Sequence, residues 1–220
     1  MVLGSVMAFT IEIPDHVIDA SIACCNAGNM GNRGDGSDGT KEQQMIGIIG
    51  QNMLNQAMGL ALMQPGGGFD GGIDAEIHGL SFDIKTMGRK VAPRLDFVNN
   101  LMQSQTKFKV DGYIFASINT NDNRMTVCGW LPKPLFLERA TLFEKGAVRQ
   151  RKDKTTFETK AAMYEIKNAD LFYEARSWEQ LFAGIKHYAE HRKEPRYQTN
   201  AEWIADYDKA EREENARSNR

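Results

Sequence analysis

The chain has 220 residues, of which 41% are hydrophobic, and a formal net charge of −2. That is enough to bury one sizeable core, and no run approaches the roughly 18 apolar residues of a membrane span. Three cysteines, with Cys24 and Cys25 adjacent, make neither a disulfide framework nor a zinc spacing and fit a reducing cytoplasm.

The opening MVLGSVMAFTIEIP lacks a basic start and a long apolar stretch, so no secretion signal is expected. The slight acidity does not advertise nucleic-acid binding, although an acidic metal pocket can coexist with a local basic patch. One domain is expected over 1–200, with its core at about 40–130. A charged helical or frayed tail follows at 201–220.

In chain order, residues 10–25 begin as a short strand-like run. They turn helical after Ile13-Pro14-Asp15, with Val17, Ile18 and Ile22 on the apolar side. Residues 26–39, NAGNMGNRGDGSDG, form a Gly/Asn/Asp loop. Thr40 is placed to cap a helix over about 41–63, with Gln43 three residues later completing a capping box. Pro65 and Gly66 to Gly68 end it. Ile46, Ile49, Met53, Ala57 and Leu60 form its apolar stripe, and Gln44, Gln51 and Asn55 its polar one.

A hairpin is expected next. Ile73, Ala75 and Ile77 alternate with Asp74, Glu76 and His78; Leu80, Phe82 and Ile84 alternate with Ser81, Asp83 and Lys85. Period two marks strands. A Gly79-Leu80 turn would pair His78 with Ser81, Glu76 with Asp83 and Asp74 with Lys85.

Beyond it, a short helix is expected at 94–103. Strands follow at 111–118 and 124–130 around the Asn121-Asp122-Asn123 turn. A helix is expected at 134–143 and a short strand at 163–167. Ser177 caps a last helix running to about Arg192, with Trp178, Leu181, Phe182, Ile185 and Tyr188 facing the core.

The polar face of the hairpin carries the chemistry. Asp74, Glu76 and Asp83 repel one another when bunched, and a divalent cation relieves that repulsion. Mg²⁺ takes one or two carboxylates together with waters and phosphate oxygens. Lys85 on the same face suits a group that holds a water or offsets charge on a phosphoryl transition state. The same spacing equally suits a solvent-facing hairpin with a cross-strand Asp74–Lys85 pair.

Three segments carry a resemblance. They are Gly47-Ile48-Ile49-Gly50-Gln51 on the helix, Phe69-Asp70-Gly71-Gly72-Ile73-Asp74 entering the hairpin, and Asp83-Ile84-Lys85-Thr86 on its second strand. Taken in that order, they resemble the PD-(D/E)XK nuclease superfamily over about residues 40–130, with the look of restriction-like and phage nucleases. The resemblance implies an α/β fold: a mixed central sheet flanked by helices, as in restriction endonucleases. It implies metal-dependent hydrolysis of DNA in a bacterial or phage-infected cytoplasm. Mg²⁺, or Mn²⁺ in its place, would be held by Asp74, Asp83 and the Ile84 carbonyl, with Lys85 positioning the water. Glu76 and Asp70 would stand in second rank. The family often places a glutamate where this chain has Gln51. A neutral Gln51 lends an oxygen without charge, so the rival expectation is an impaired, nucleic-acid-binding or assembly protein on the same scaffold.

For DNA contact the candidates are Arg89 and Lys90 after the second strand, with Arg94 nearby, and Arg149, Arg151, Lys152 and Lys154 within the basic stretch 145–154. Cutting both strands would favour a homodimer. His187 and His191 have metal-ligand spacing but no third ligand. Gly66 to Gly68 match no phosphate-binding loop.

Overall fold

A computed structural model describes residues 9–28, 39–66, 71–150, 154–172 and 175–191. Asp70, Arg151, Lys152, most of the 26–39 loop and the 201–220 tail therefore lie outside the described residues.

The protein is mixed α/β. Its main sheet has the order β1-β6-β5-β3-β2, built from β1 (Phe9–Glu12), β2 (Ala75–Ile77), β3 (Leu80–Arg89), β5 (Gly112–Asn119) and β6 (Arg124–Pro132). Only β3 and β5 run parallel; the other neighbours are antiparallel. A second sheet has the order β4-β10-β7, from β4 (Val98–Met102), β7 (Thr141–Phe143) and β10 (Met163–Lys167). A separate hairpin joins β8 (Val148–Gln150) to β9 (Thr156–Glu158). The helices are α1 (Asp15–Ala27), α2 (Lys41–Ala57), α3 (Lys133–Arg139) and α4 (Trp178–Glu190). Among the described residues no helix is long and apolar enough to cross a membrane.

β5 is the centre of the core, with every residue from Gly112 to Ile118 buried. A parallel strand covered on both faces reads as a continuous apolar run, which is what YIFASI provides. The main sheet separates two layers. On one face α2 lies along β3, close enough that a Cβ on Gly50 would overlap Thr86, and one on Gly88 would meet Ile46 at 3.2 Å. On the other face α3 covers β5, with Phe136 against Tyr113 and Phe115 at ring separations of 4.9 and 5.7 Å. Tyr164 of β10 joins this cluster at 5.8 Å from Phe136.

The Thr40–Gln43 capping box forms as expected, and Ser177 accepts from the Gln180 amide at the start of α4. Other expectations are corrected. α2 ends at Ala57 rather than near 63, because Gly59 adopts φ 69° and turns the chain away. Leu60, expected in the apolar stripe, is 52% exposed. The polar-stripe residue Asn55 is buried, and its side chain donates to the Ala61 carbonyl. Neighbouring Asn52 accepts from the Met63 amide at 2.7 Å and donates to Ser21, tying α2 to α1.

The helix expected at 94–103 is instead strand β4. Its buried Asn99 donates to Asn168 at 2.7 Å, so a polar residue faces inward there. The helix expected at 134–143 stops at Arg139, and Thr141–Phe143 pairs with β10. The second strand of the hairpin runs on to Arg89.

Candidate active site

The β2–β3 hairpin turns on His78 and Gly79, both with positive φ, 50° and 74°. Two such residues make the type I′ turn that suits strand twist. Ile77 therefore pairs with Leu80, Glu76 with Ser81 and Ala75 with Phe82. The expected pairs, Glu76–Asp83 and Asp74–Lys85, do not form. The register differs by two residues along β3, so the shared face survives. Asp74 stands just before β2, outside the paired ladder, and meets β3 through its own hydrogen bonds.

β2 is short and β3 overhangs it. At that notch the Asp74 amide donates to the Phe82 carbonyl at 2.9 Å. The Asp74 side chain in turn accepts from the Ile84 amide through Oδ2 at 2.8 Å. A strand residue directs its N–H and C=O to the same edge, so the Ile84 carbonyl also points to the Asp74 side. Asp83 is 3% exposed. Its Oδ2 lies 2.7 Å from Lys85 Nζ, an ion pair between neighbours along one face of one strand rather than across the hairpin. Asp111 anchors the start of β3 by accepting from both the amide and the hydroxyl of Ser81.

Asp74, Asp83, Ile84 and Lys85 are thus brought together at one sheet edge. Glu76 is exposed and pairs with Ser81 instead. The donors at the notch are all oxygens, the chemistry of a hard cation, and a buried carboxylate beside a second one is electrostatically suited to it. In that limited sense the residues fit magnesium. Among the described residues there is no group of three or more His, Cys, Asp or Glu side chains placed to hold a metal.

Gln51 follows Gly50 on α2 and is half-buried. Side chains alternate along a strand, so Thr86 and Gly88, which meet α2, point to the face opposite Asp83 and Lys85. A Gln51 contribution would have to come around the sheet edge at Asp74.

The cationic candidates divide. Arg89 donates to the Val98 carbonyl at 2.6 Å and to Ser117 at 3.3 Å, and lies 4.7 Å from the centre of the Phe97 ring. Burial holds its guanidinium below the usual arginine range. It clamps the two sheets together. Arg149 is similarly engaged, 2.7 Å from buried Glu165 and 3.4 Å over the Phe143 ring. Arg94 pairs with Asp96 at 3.3 Å at the surface. Lys90 and Lys154 are exposed, and Lys154 sits at φ 68° shortly before β9. The His187 and His191 rings stack at 4.2 Å, and His191 Nδ1 donates to the His187 carbonyl at 2.9 Å.

One buried polar residue at the site was not singled out from sequence. Tyr113 pairs with Asp83 across the parallel β3–β5 ladder. A buried apolar run gave no signal for it, since the partner of a parallel strand is set by a long crossover. No protein-family model, curated protein or solved structure matches this chain.

Proposed function

We propose that this chain is a magnesium-dependent nuclease acting on DNA, built on a restriction-endonuclease-like core. The observation that carries this reading is the notch where the Asp74 carboxylate caps the Ile84 amide beside the Asp83–Lys85 pair. Asp74, Asp83 and the Ile84 carbonyl would hold the cation. Bound there, magnesium would polarise a phosphate oxygen and lower the pKa of a nearby water. Lys85 orients the attacking water through its ammonium and offsets charge growing on the phosphoryl group. Burial of Asp83 keeps bulk water from screening these charges. Exposed Lys90 and Lys154 supply phosphate contacts, with Arg151 and Lys152 as further candidates; Arg89 and Arg149 are engaged within the fold.

A second reading has its own support. Gln51 is neutral, and the described residues offer two acids at the notch rather than three. This favours a protein that binds nucleic acid or assembles on it without cutting.

The deciding experiment is cleavage of supercoiled plasmid and of a short single strand, with Mg²⁺ or Mn²⁺, by this chain and by Gln51→Glu. Cutting by both supports the nuclease. Cutting by the Glu form alone supports a genuine but disarmed site. DNA binding with no cutting by either transfers the conclusion to the second reading.

A further inference from the structure

Tyr113 is fully buried, at 0% exposure, yet its hydroxyl has no hydrogen-bond partner among the described residues. A buried phenol ordinarily finds one, and leaving it without is destabilising. Phenylalanine would fill the same space against Phe115 and Phe136 without that cost. The hydroxyl therefore calls for a reason beyond packing.

Its surroundings supply one. Tyr113 and Asp83 are direct neighbours in the β3–β5 ladder and share the face covered by α3. Adjacent strands lie about 4.8 Å apart, so the two side chains leave the sheet side by side. A phenol carries its proton at ordinary pH, so the Tyr113 hydroxyl can donate. Asp83 is ion-paired with Lys85, and the nuclease reading also requires Lys85 at the water and the phosphate.

We propose that Tyr113 is a positioning residue for Asp83, its hydroxyl donating to that carboxylate through a buried water. A bridging water of this kind satisfies several buried polar groups at once. When Lys85 turns toward substrate, the water keeps the Asp83 carboxylate aimed at the notch. This role deepens the nuclease reading, but the hydroxyl–carboxylate link itself does not depend on it.

The test has two arms on the full chain. The first is a thermal double-mutant cycle without metal: Tyr113→Phe, Asp83→Asn and both together. Tyr113→Phe is expected to lower Tm by about 2–4 °C in the parent and to do nothing in the Asp83→Asn background. The same change in both backgrounds, or a rise in both, overturns the proposal. The second arm is Mn²⁺ titration by calorimetry, where Tyr113→Phe should weaken binding roughly tenfold or more. Unchanged Mn²⁺ affinity in a parent that binds also overturns it. A parent that binds no Mn²⁺ defeats the metal reading instead, and the thermal cycle then decides the role of Tyr113 alone.

Discussion

Gly47 and Gly50 belong to the same helical segment, yet they should respond oppositely to alanine. A Cβ on Gly47 meets nothing within 4 Å, whereas one on Gly50 would overlap the Thr86 hydroxyl and stand 2.8 Å from Thr86 Cβ. Replacing an interior helix glycine by alanine gains about 0.5–1 kcal/mol. Gly47→Ala should keep that gain, raising Tm by about 1–4 °C for a chain of this size. At Gly50 the same gain is opposed by overpacking of about 1–3 kcal/mol. The obstructing atoms are branched at Cβ and held by a central sheet, so the upper end applies. The net loss is about 2 kcal/mol, a fall in Tm of about 4–8 °C. Circular dichroism melts of the two variants measure this directly. If both melt above the parent, α2 does not rest on β3 at Thr86, and the layer assignment that places Gln51 opposite Asp83 fails with it.

Other expectations follow from the same contacts. Lys85→Ala should abolish cleavage, but it should also destabilise the metal-free protein by on the order of 3 kcal/mol, because Asp83 loses this ion pair in a buried setting; Mn²⁺ should restore part of the lost Tm, and a variant as stable as the parent in EDTA refutes the pairing. Arg149→Met should likewise cost about 3–5 kcal/mol by stranding Glu165, seen as a lower urea midpoint. Lys154→Ala should leave that midpoint unchanged while reducing the salt slope of DNA binding by about one. Burial pushes the Cys128 thiol up to about 11. The unfolded chain then loses this proton first, so stability is full below about pH 9 and falls by about 1.4 kcal/mol per pH unit between pH 9 and 11. Urea titrations of Cys128→Ala should lack that part of the alkaline slope; an identical slope would show that another group is responsible.

The sequence announces its elements best where side chains alternate or cap. Thr40 with Gln43, Ser177, the YIFASI strand and the Asp83–Lys85 strand all declared themselves. β4 did not, because the amides of Asn99 and Asn100 hide its period and only Asn168, far along the chain, accounts for a polar residue inside. The end of α2 was misplaced because Leu60 continues the apolar period past Gly59, whose positive φ had already ended the helix.

At the site, the common face of Asp83 and Lys85 was legible, and so was the nearness of Asp74 to that strand. Their pairing was not, because it turned on histidine accepting φ 50°. The roles of Arg89 and Arg149 were also hidden: charge is written in the sequence, but Val98, Phe97 and Glu165 that occupy them come from other segments of the chain.

The turn at His78-Gly79 has a consequence for how the molecule assembles itself. Asp74 and Asp83 belong to a single hairpin with a two-residue loop, a unit that forms in about 1–10 μs. Their mutual spacing is thus decided by a local event. The partners that tame the resulting charge arrive on different clocks. Lys85 comes with the strand itself, but Tyr113 reaches Asp83 only after the parallel β3–β5 crossover closes, and non-local pairing of that kind is slow. Until then the two carboxylates face water together. If the notch holds a divalent cation as proposed, capture at that stage precedes enclosure by the sheet, and refolding should quicken with Mn²⁺.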